Sequence, residues 1–489
     1  MTRDSKAVDP HVQEKFDEHF PPRHVEIGTP LYAGRGRINQ TRRGKMTAAG
    51  TGARKLVLLH ISDIHFRKTE IESNQDLDED IRTKLLHDLA RSGMAPGTPF
   101  DGILVTGDIA FGGDVSEYGS ARRWLKTLCA KAKCKESHIW TVPGNHDVVR
   151  SVAHSPLIFD MHSAVRMAPN PALALKERLG ESAAANALLS PFTEYNRFAE
   201  QLQCETTAES EFWESVDLDL PLNDGSHIRL RGINSSILSD KTGDHGPPNG
   251  PATEVVGLKQ VQLRDEDEGI CYLTLCHHPP EWLRDGDALK DHLSRARIQL
   301  FGHKHKQRVS QVDNSLVLGA GALHPNRYED GWEPRYNILC MEVRSDATGR
   351  KLHVDVYQRV WKPADTHFGP HVDADGLYPK PYDLDLPAWS PPPQTECVPA
   401  APPSSLQPSA QVGHENKETM ISIRELVFNF FALSYPVRMR LLLDLHLIDD
   451  VDDKISDSEL VKRAIKRARE RDVLLQLDGA IRADSRPKE

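Results

Sequence analysis

Five short segments of the 489-residue chain carry side chains able to hold a divalent cation. They are Asp63-x-His65, Gly107-Asp108, Gly144-Asn145-His146-Asp147, His277-His278 and Gly302-His303-x-His305. Taken singly, each is the kind of polar residue that closes a turn. Together they repeat one arrangement: nearly all sit just past an apolar run. In an open parallel sheet such strand ends face a single crevice, where ligands bind. Glycines beside Asp108, Asn145 and His303 let the backbone turn sharply there. Coordination of metal is the chemistry that Asp, His and Asn share.

The elements that must position these residues are legible in outline. KLVLLHI (55–61), GILVTGDIA (102–110) and HIWTVPGNHD (138–147) each read as an apolar strand ending in a polar turn. Between the first two, the spacing of Ile81, Leu85, Leu86 and Leu89 fits one helix face. DVSEYGSARRWLKTLCAKAK (114–133) reads as a second helix. Strands alternating with helices predict βαβ units and a largely parallel, buried sheet. Residues 151–212 read as a mostly helical insertion. Strands return at 228–236, 271–278 and 297–303. SLVLGAG, YNILCMEV and KLHVDVYQRV then predict further strands, antiparallel in arrangement, up to about residue 361.

Four segments flank or interrupt this core. Residues 1–54 are polar and aperiodic, with a basic cluster at Arg35, Arg37, Arg42, Arg43 and Lys45, and predict a flexible arm. The strand-and-helix core itself occupies 55–362. Proline is dense over 363–415, which predicts an extended linker; Trp361, Phe368, Tyr378, Tyr382 and Trp389 suggest that its start wraps the preceding domain. Residues 416–489 predict a separate small all-α unit. There Ser456 and Glu459 have capping-box spacing.

Composition bounds the rest. Lys+Arg number 61 against 71 Asp+Glu, a formal net charge of −10, which argues against a dedicated nucleic-acid binder. No apolar run is long enough to span a membrane, and the N-terminus has no apolar core of a secretory leader. The seven cysteines include no C-x-x-C pair, so neither a disulfide framework nor a thiolate zinc site is expected. A soluble, cytoplasmic, reduced protein is expected.

The series D-x-H, G-D, G-N-H-D, H, G-H-x-H, with ISDIHF, VTGDIAFGG followed by Glu117-Tyr118, VPGNHD, CHHPPEWL and LFGHKH around it, resembles the calcineurin-like metallophosphoesterases over roughly residues 55–345. The resemblance implies a two-sheet α/β/β/α sandwich with a dimetal site at the edge of the sheets. It assigns one metal to Asp63, His65, Asp108 and His305, and the other to Asp108, Asn145, His277 and His303, with Asp108 bridging. A bridging carboxylate offsets the repulsion between two dications, and mixed N/O donors without thiolate suit Mn, Fe, Zn or Ni. It further implies hydrolysis of a phosphodiester or phosphomonoester by metal-activated hydroxide. His146 would act at the leaving group and Asp147 would orient His146. His278 and Arg150 are candidates for contact with substrate.

The third motif, GNHD, departs from the GNHE of the phosphoserine/threonine phosphatases. SbcD-type nucleases share GNHD but continue their second motif with Leu-Phe-Asp, where this chain has Ile-Ala-Phe-Gly-Gly. The pattern is more similar to the bacterial class III cyclic-nucleotide phosphodiesterases. The C-terminal helices resemble small death-fold-like adaptor modules of bacterial conflict and signalling systems. That resemblance implies recruitment to a protein partner, with the proline-rich segment as a tether; dimerisation or simple packing is the alternative. Two further readings stay open. One is a regulatory adaptor whose metal domain senses a nucleotide or partner. The other is a DNA nuclease.

Overall fold

The computed structural model describes residues 54–89, 98–216, 218–240, 252–263, 269–305, 308–324, 333–391, 421–449, 452 and 455–485. The N-terminal arm expected up to residue 54 lies outside the described residues except for its last position, and so does the proline-rich stretch from 392 to 420.

The described strands are β1 (Leu56–Ile61), β2 (Gly102–Val105), β3 (Ile139–Thr141), β4 (Phe212–Glu214), β5 (Leu220–Pro221), β6 (His227–Ile233), β7 (Ile270–Cys276), β8 (Ile298–Phe301), β9 (Arg308–Val312), β10 (Ser315–Gly319), β11 (Arg335–Asp346), β12 (Gly349–Lys362), β13 (His367–Pro370) and β14 (Lys380–Leu386). They form two seven-stranded mixed sheets. The first runs β13-β12-β11-β1-β2-β3, with β14 also on β12; the second runs β4-β6-β7-β8-β10-β9, with β5 also on β6. β1, β2 and β3 are mutually parallel, and so are β6, β7, β8 and β10.

Both parallel blocks are buried on two faces, which is why their strands read as continuous apolar runs rather than alternating ones. Leu58, Leu59, Ile103 and Leu104 of the first sheet share one core with Leu230, Leu273, Leu300 and Leu318 of the second. Burying each such side chain contributes roughly 1.5–3 kcal/mol. The opposite face of the second sheet, through Ile233, Cys276 and Phe301, packs separately against Leu289 and Leu293.

Helices α1 (Lys68–Ser73), α2 (Glu79–Asp88) and α3 (Val115–Ala132) connect the first three strands. On α2 the predicted face is real: Leu85 is buried, and Ile81 and Leu86 pack against the core. The α3 helix starts at a capping box, Asp114 with Glu117, and ends at Lys133 in the left-handed conformation. Helices α4 (Arg150–Ala153), α5 (Pro156–Arg166), α6 (Pro171–Leu179), α7 (Ser182–Leu189) and α8 (Thr193–Ala199) occupy the expected helical insertion. Two more, α9 (Leu258–Val261) and α10 (Gly286–Leu293), flank β7, and α10 supplies the Leu289 and Leu293 that cover the second sheet.

Two expectations are corrected. SLVLGAG was expected to be antiparallel; β10 is antiparallel to β9 but runs parallel to β8 on its other side, and β11 and β12 are antiparallel as expected. The linker was expected from residue 363, but β13 and β14 both pair with β12, so the sheet continues to Leu386. The aromatic residues outweigh the prolines here. Phe368 is fully buried, and Pro381 is tolerated because β14 pairs on one side only.

The C-terminal unit comprises α11 (Ile423–Ala432), α12 (Tyr435–Asp444), α13 (Asp457–Glu470) and α14 (Leu474–Asp484). They enclose their own core of Leu426, Val427, Phe430, Leu442, Val461, Ile465, Leu477 and Ile481. Ser456 caps α13 by accepting the Glu459 N–H. The unit does not hang free, which corrects the expectation of a tethered module without rigid docking. The buried Arg424 guanidinium donates to the carbonyls of Ser137 (2.5 Å) and Ile139 (2.6 Å) and lies 4.5 Å from the Trp140 ring centre. Gln201 donates to the Phe428 carbonyl, and Lys462 pairs with Glu205 at 3.0 Å. No helix among the described residues is long and apolar enough to cross a membrane.

Candidate metal centre

Five parallel strands deliver the candidate ligands from their C-terminal ends. Asp63 and His65 follow β1, Asp108 follows β2, Asn145 follows β3, His277 follows β7, and His303 and His305 follow β8. Because the two sheets face one another, the ends of strands far apart in sequence meet at one edge. Backbone hydrogen bonds stitch the turns together. Asp63 N donates to the Gly107 carbonyl at 3.1 Å, His65 N to the Asp108 carbonyl at 3.0 Å, and Gly302 N to the His277 carbonyl at 3.0 Å.

The turns are strained. Asp63, His65, Asp108, His303 and His305 all have φ between 52° and 66°. A non-glycine residue there costs of order 1–3 kcal/mol, and such strain concentrates at functional sites. Space is equally tight: a Cβ on Gly144 would stand 2.1 Å from Asp108 Oδ1, and one on Gly302 would stand 2.2 Å from Ser62 Oγ.

The side chains converge in two overlapping groups. In the first, His305 Nε2 lies 3.4 Å and His65 Nε2 3.8 Å from Asp63 Oδ1, while His65 Nε2 is 3.5 Å from Asp108 Oδ2. In the second, His277 Nε2 is 3.3 Å from Asp108 Oδ2 and 3.0 Å from Asn145 Oδ1, and His303 Nδ1 is 3.1 Å from the same amide oxygen. Asp108 Oδ2 belongs to both. Asp63 Oδ1 and His65 Nε2 are buried without a hydrogen-bond partner. Such orphaned atoms are costly unless something else satisfies them, and cations would. The donor set therefore fits two divalent metals.

Protonation agrees. Burial works against both carboxylates, but the surrounding imidazoles hold Asp63 and Asp108 well below the usual carboxylate range. Burial pushes His65 and His303 down to about 3. His277 goes the other way: burial lowers it, but the Asp108 and Asp63 carboxylates and the Thr106 carbonyl together carry it up to about 9. Its Nδ1 lies 2.7 Å from the Thr106 carbonyl. Nε2 faces Asp108 and Asn145, both acceptors, and a cation bound there would displace its proton.

The remaining sequence candidates fall nearby. His146 N donates to Asp108 Oδ1 at 2.8 Å, and its ring stacks on Phe111 with centroids 4.9 Å apart. Its Nδ1 is 2.9 Å from the Phe111 carbonyl and 2.8 Å from an Arg150 Nη. Burial lowers the His146 pKa. Asp147 does not orient His146, contrary to expectation. Its carboxylate accepts the N–H groups of Gly144, Ala110 and Ile109 and the Tyr118 hydroxyl, locking the second and third turns to each other. Burial and the Asp108 charge push it up to about 7 against those backbone donors. His278 Nδ1 is 2.9 Å from Ser235 Oγ, while its Nε2 is buried without a partner beside His277 and His303.

Several residues around the site were not assigned from sequence. Glu117 and Tyr118 had been noted only as part of a motif, yet Glu117 accepts four backbone N–H groups, those of Lys68, Phe111, Gly112 and Asp114. His324 stands 5.3 Å from His65, ring to ring, and its backbone N donates to the Asp63 carbonyl. It follows the apolar run of β10, the same signal that marked the other histidines. Arg67, two residues past His65, carried no distinguishing mark. Three basic residues of α13 pair within the chain: Lys462 with Glu205, Arg463 with Glu459, and Arg467 with Asp452.

Residues 56–307, slightly more than half of the chain, match the family model described as calcineurin-like phosphoesterase. The chain belongs to the calcineurin-like phosphoesterase family. Residues 422–483 match a second model, the GTPase-associated adaptor domain, so a phosphoesterase domain is followed by an adaptor domain. A curated relative, the metallophosphoesterase-like protein YydB of Bacillus subtilis, is 25% identical over 284 residues, which is 56% of this chain and 55% of YydB. The chain thus spans about half the length of that relative. Among solved structures, a putative 5′-nucleotidase from Staphylococcus aureus, in complex with alpha-ketoglutarate, is similar at 12% identity and a TM-score of 0.34, over 66% of this chain and 56% of the other. A Streptococcus pneumoniae protein described as a predicted phosphoesterase gives 11% and 0.25, over 65% and 99%. All seven candidate ligands lie within the matched residues 56–307.

Proposed function

We propose that the phosphoesterase domain hydrolyses a phosphodiester in the crevice at the strand ends, and that the adaptor domain recruits it to a protein partner. The observation that carries this reading is that seven ligand-type side chains meet at one edge: His65 and His305 at Asp63 Oδ1, His65 and His277 at Asp108 Oδ2, and His277 and His303 at Asn145 Oδ1, with Asp63 Oδ1 and His65 Nε2 buried and unpartnered. Asp63, His65, Asp108 and His305 would hold one cation, and Asp108, Asn145, His277 and His303 the other. When bound, such a pair supplies an activated water and neutralises charge on the phosphate oxygens.

The rest falls to the chain itself. Asp108 balances both cations with one carboxylate. Asn145 adds an oxygen donor without adding charge. The Phe111 carbonyl and Arg150 both hold His146 at Nδ1, which leaves Nε2 as the ring atom that can meet the leaving oxygen. Asp147 keeps the His146 turn in place through its backbone contacts rather than through the ring. His278, braced by Ser235, narrows the side of the crevice beside His303.

Purified protein supplied with Mn²⁺ is expected to hydrolyse bis-p-nitrophenyl phosphate. Asp108→Ala and His303→Ala are each expected to abolish that activity while leaving the protein folded. Activity surviving both substitutions would refute the site.

A further inference from the structure

A group of side chains beside the metal ligands has no part in holding cations. Arg67 lies with its guanidinium carbon 3.8 Å from the Phe111 ring centre. One Nη is 2.7 Å from His324 Nε2, and Nδ1 of that histidine contacts Asp78. The polarity of this chain is determined by chemistry. A guanidinium only donates and a carboxylate only accepts, so His324 is neutral with its proton on Nδ1. Asp78 and His324 thereby fix the direction in which Arg67 points. Arg67 Nε is buried without a hydrogen-bond partner, and the nearest carboxylate, Glu70, stands 3.9 Å away. Arg150 approaches the same Phe111 ring at 5.7 Å while contacting His146.

Resting on the phosphoesterase reading above, we propose that Arg67, with Arg150 across Phe111, forms a second anion subsite on the His146 side of the crevice. The substrate is then one that carries a further phosphate next to the scissile one. Three observations support this. Arginine presents a planar fork suited to phosphate oxygens, and here that fork is held by an aromatic face and a hydrogen-bonded histidine. Its position beside His65 and His146 places it on the side where the leaving group departs. Glu70, 3.9 Å from Arg67 Nε, and Asp78, beyond His324, add negative charge on the far side of the guanidinium, so a long polyanion would meet more repulsion than a compact diphosphate.

The experiment compares AMP with adenosine 5′-(α,β-methylene)diphosphate, as inhibitors of bis-p-nitrophenyl phosphate hydrolysis and as ligands in calorimetry of the Mn²⁺-loaded protein. Excess Mn²⁺ guards against chelation. A charge-assisted contact to a second phosphate predicts at least about tenfold tighter binding of the diphosphate. Arg67→Ala is expected to bring the ratio to about one, Arg67→Lys to restore part of it, and His324→Ala to reduce it part-way. A wild-type ratio of one overturns the proposal, even if Arg67→Ala fails to fold. So does an unchanged ratio in Arg67→Ala, or a larger gain from the dinucleotide pTpT than from the diphosphate. If the wild type hydrolyses nothing, the phosphoesterase reading fails, and the calorimetric ratio still decides the subsite.

Discussion

At the scale of the residue, the centre depends on backbone as much as on ligands. Asp63, His65, Asp108, His303 and His305 adopt left-handed φ values that only tight turns impose. Gly107, at φ 91°, opens the turn that carries Asp108. Gly144 lets the GNHD turn lie directly against the Asp108 carboxylate. Gly144→Ala would put a Cβ 2.1 Å from Asp108 Oδ1, displacing the one oxygen-bearing group common to both metal positions. A displacement near 1 Å at a reacting centre costs on the order of 100-fold in rate. Gly144→Ala is therefore expected to lower kcat for bis-p-nitrophenyl phosphate by about that factor, as measured by initial rates at saturating Mn²⁺.

At the scale of the element, α3 links the core to the site. Its capping box does more than start the helix. The Glu117 carboxylate gathers the N–H groups of Phe111, Gly112 and Asp114, and that of Lys68 at the start of α1. One residue on, Tyr118 donates to the carboxylate and to the carbonyl of Asp147. The helix N-terminus thus sets the height of the Phe111 loop and, through Asp147, the GNHD turn. Leaving buried donors unsatisfied costs about 1–3 kcal/mol. Glu117→Ala is expected to lose stability of that size in urea denaturation, whereas Glu117→Gln, which keeps an acceptor, is expected to lose less.

At the scale of the whole molecule, the adaptor domain and the phosphoesterase domain form a continuous packed surface around Arg424. Its guanidinium satisfies two carbonyls at the start of β3, the end of that strand opposite the GNHD turn. Arg424→Ala is expected to destabilise the chain by about 1–3 kcal/mol, as measured by urea denaturation. The same interface carries a pH dependence. Burial, then the Asp457 charge, pushes Glu200 up to about 7 from its ordinary 4.5; Glu205 adds to the rise, while Arg438 and Arg122 oppose it. A carboxylate whose folded pKa is raised stabilises most below its unfolded pKa and loses that contribution as pH climbs through the folded value. The melting temperature is therefore expected to fall between pH 5 and pH 8 by more in the wild type than in Glu200→Gln.

The strand-then-ligand pattern was legible in the chain because parallel strands buried on two faces must be apolar throughout. A polar residue at the end of such a run stands out, which is how Asp63, Asp108, Asn145, His277 and His303 were found. Helical periodicity, the capping-box spacing at Ser456 and the domain order were equally local. What depended on long-range contact was not legible. The strands β13 and β14 lie in proline-rich sequence and exist because β12 offers free edges. Asp147 has the same type and position whether it steadies a ring or a backbone, and only the fold shows the N–H groups that reach it. Arg67 became notable once His324, 257 residues further on, was brought to it. Local sequence thus determined which residues could serve as ligands. Tertiary structure alone decided which atoms of distant residues share space, since contact between them is created only when the two sheets pack.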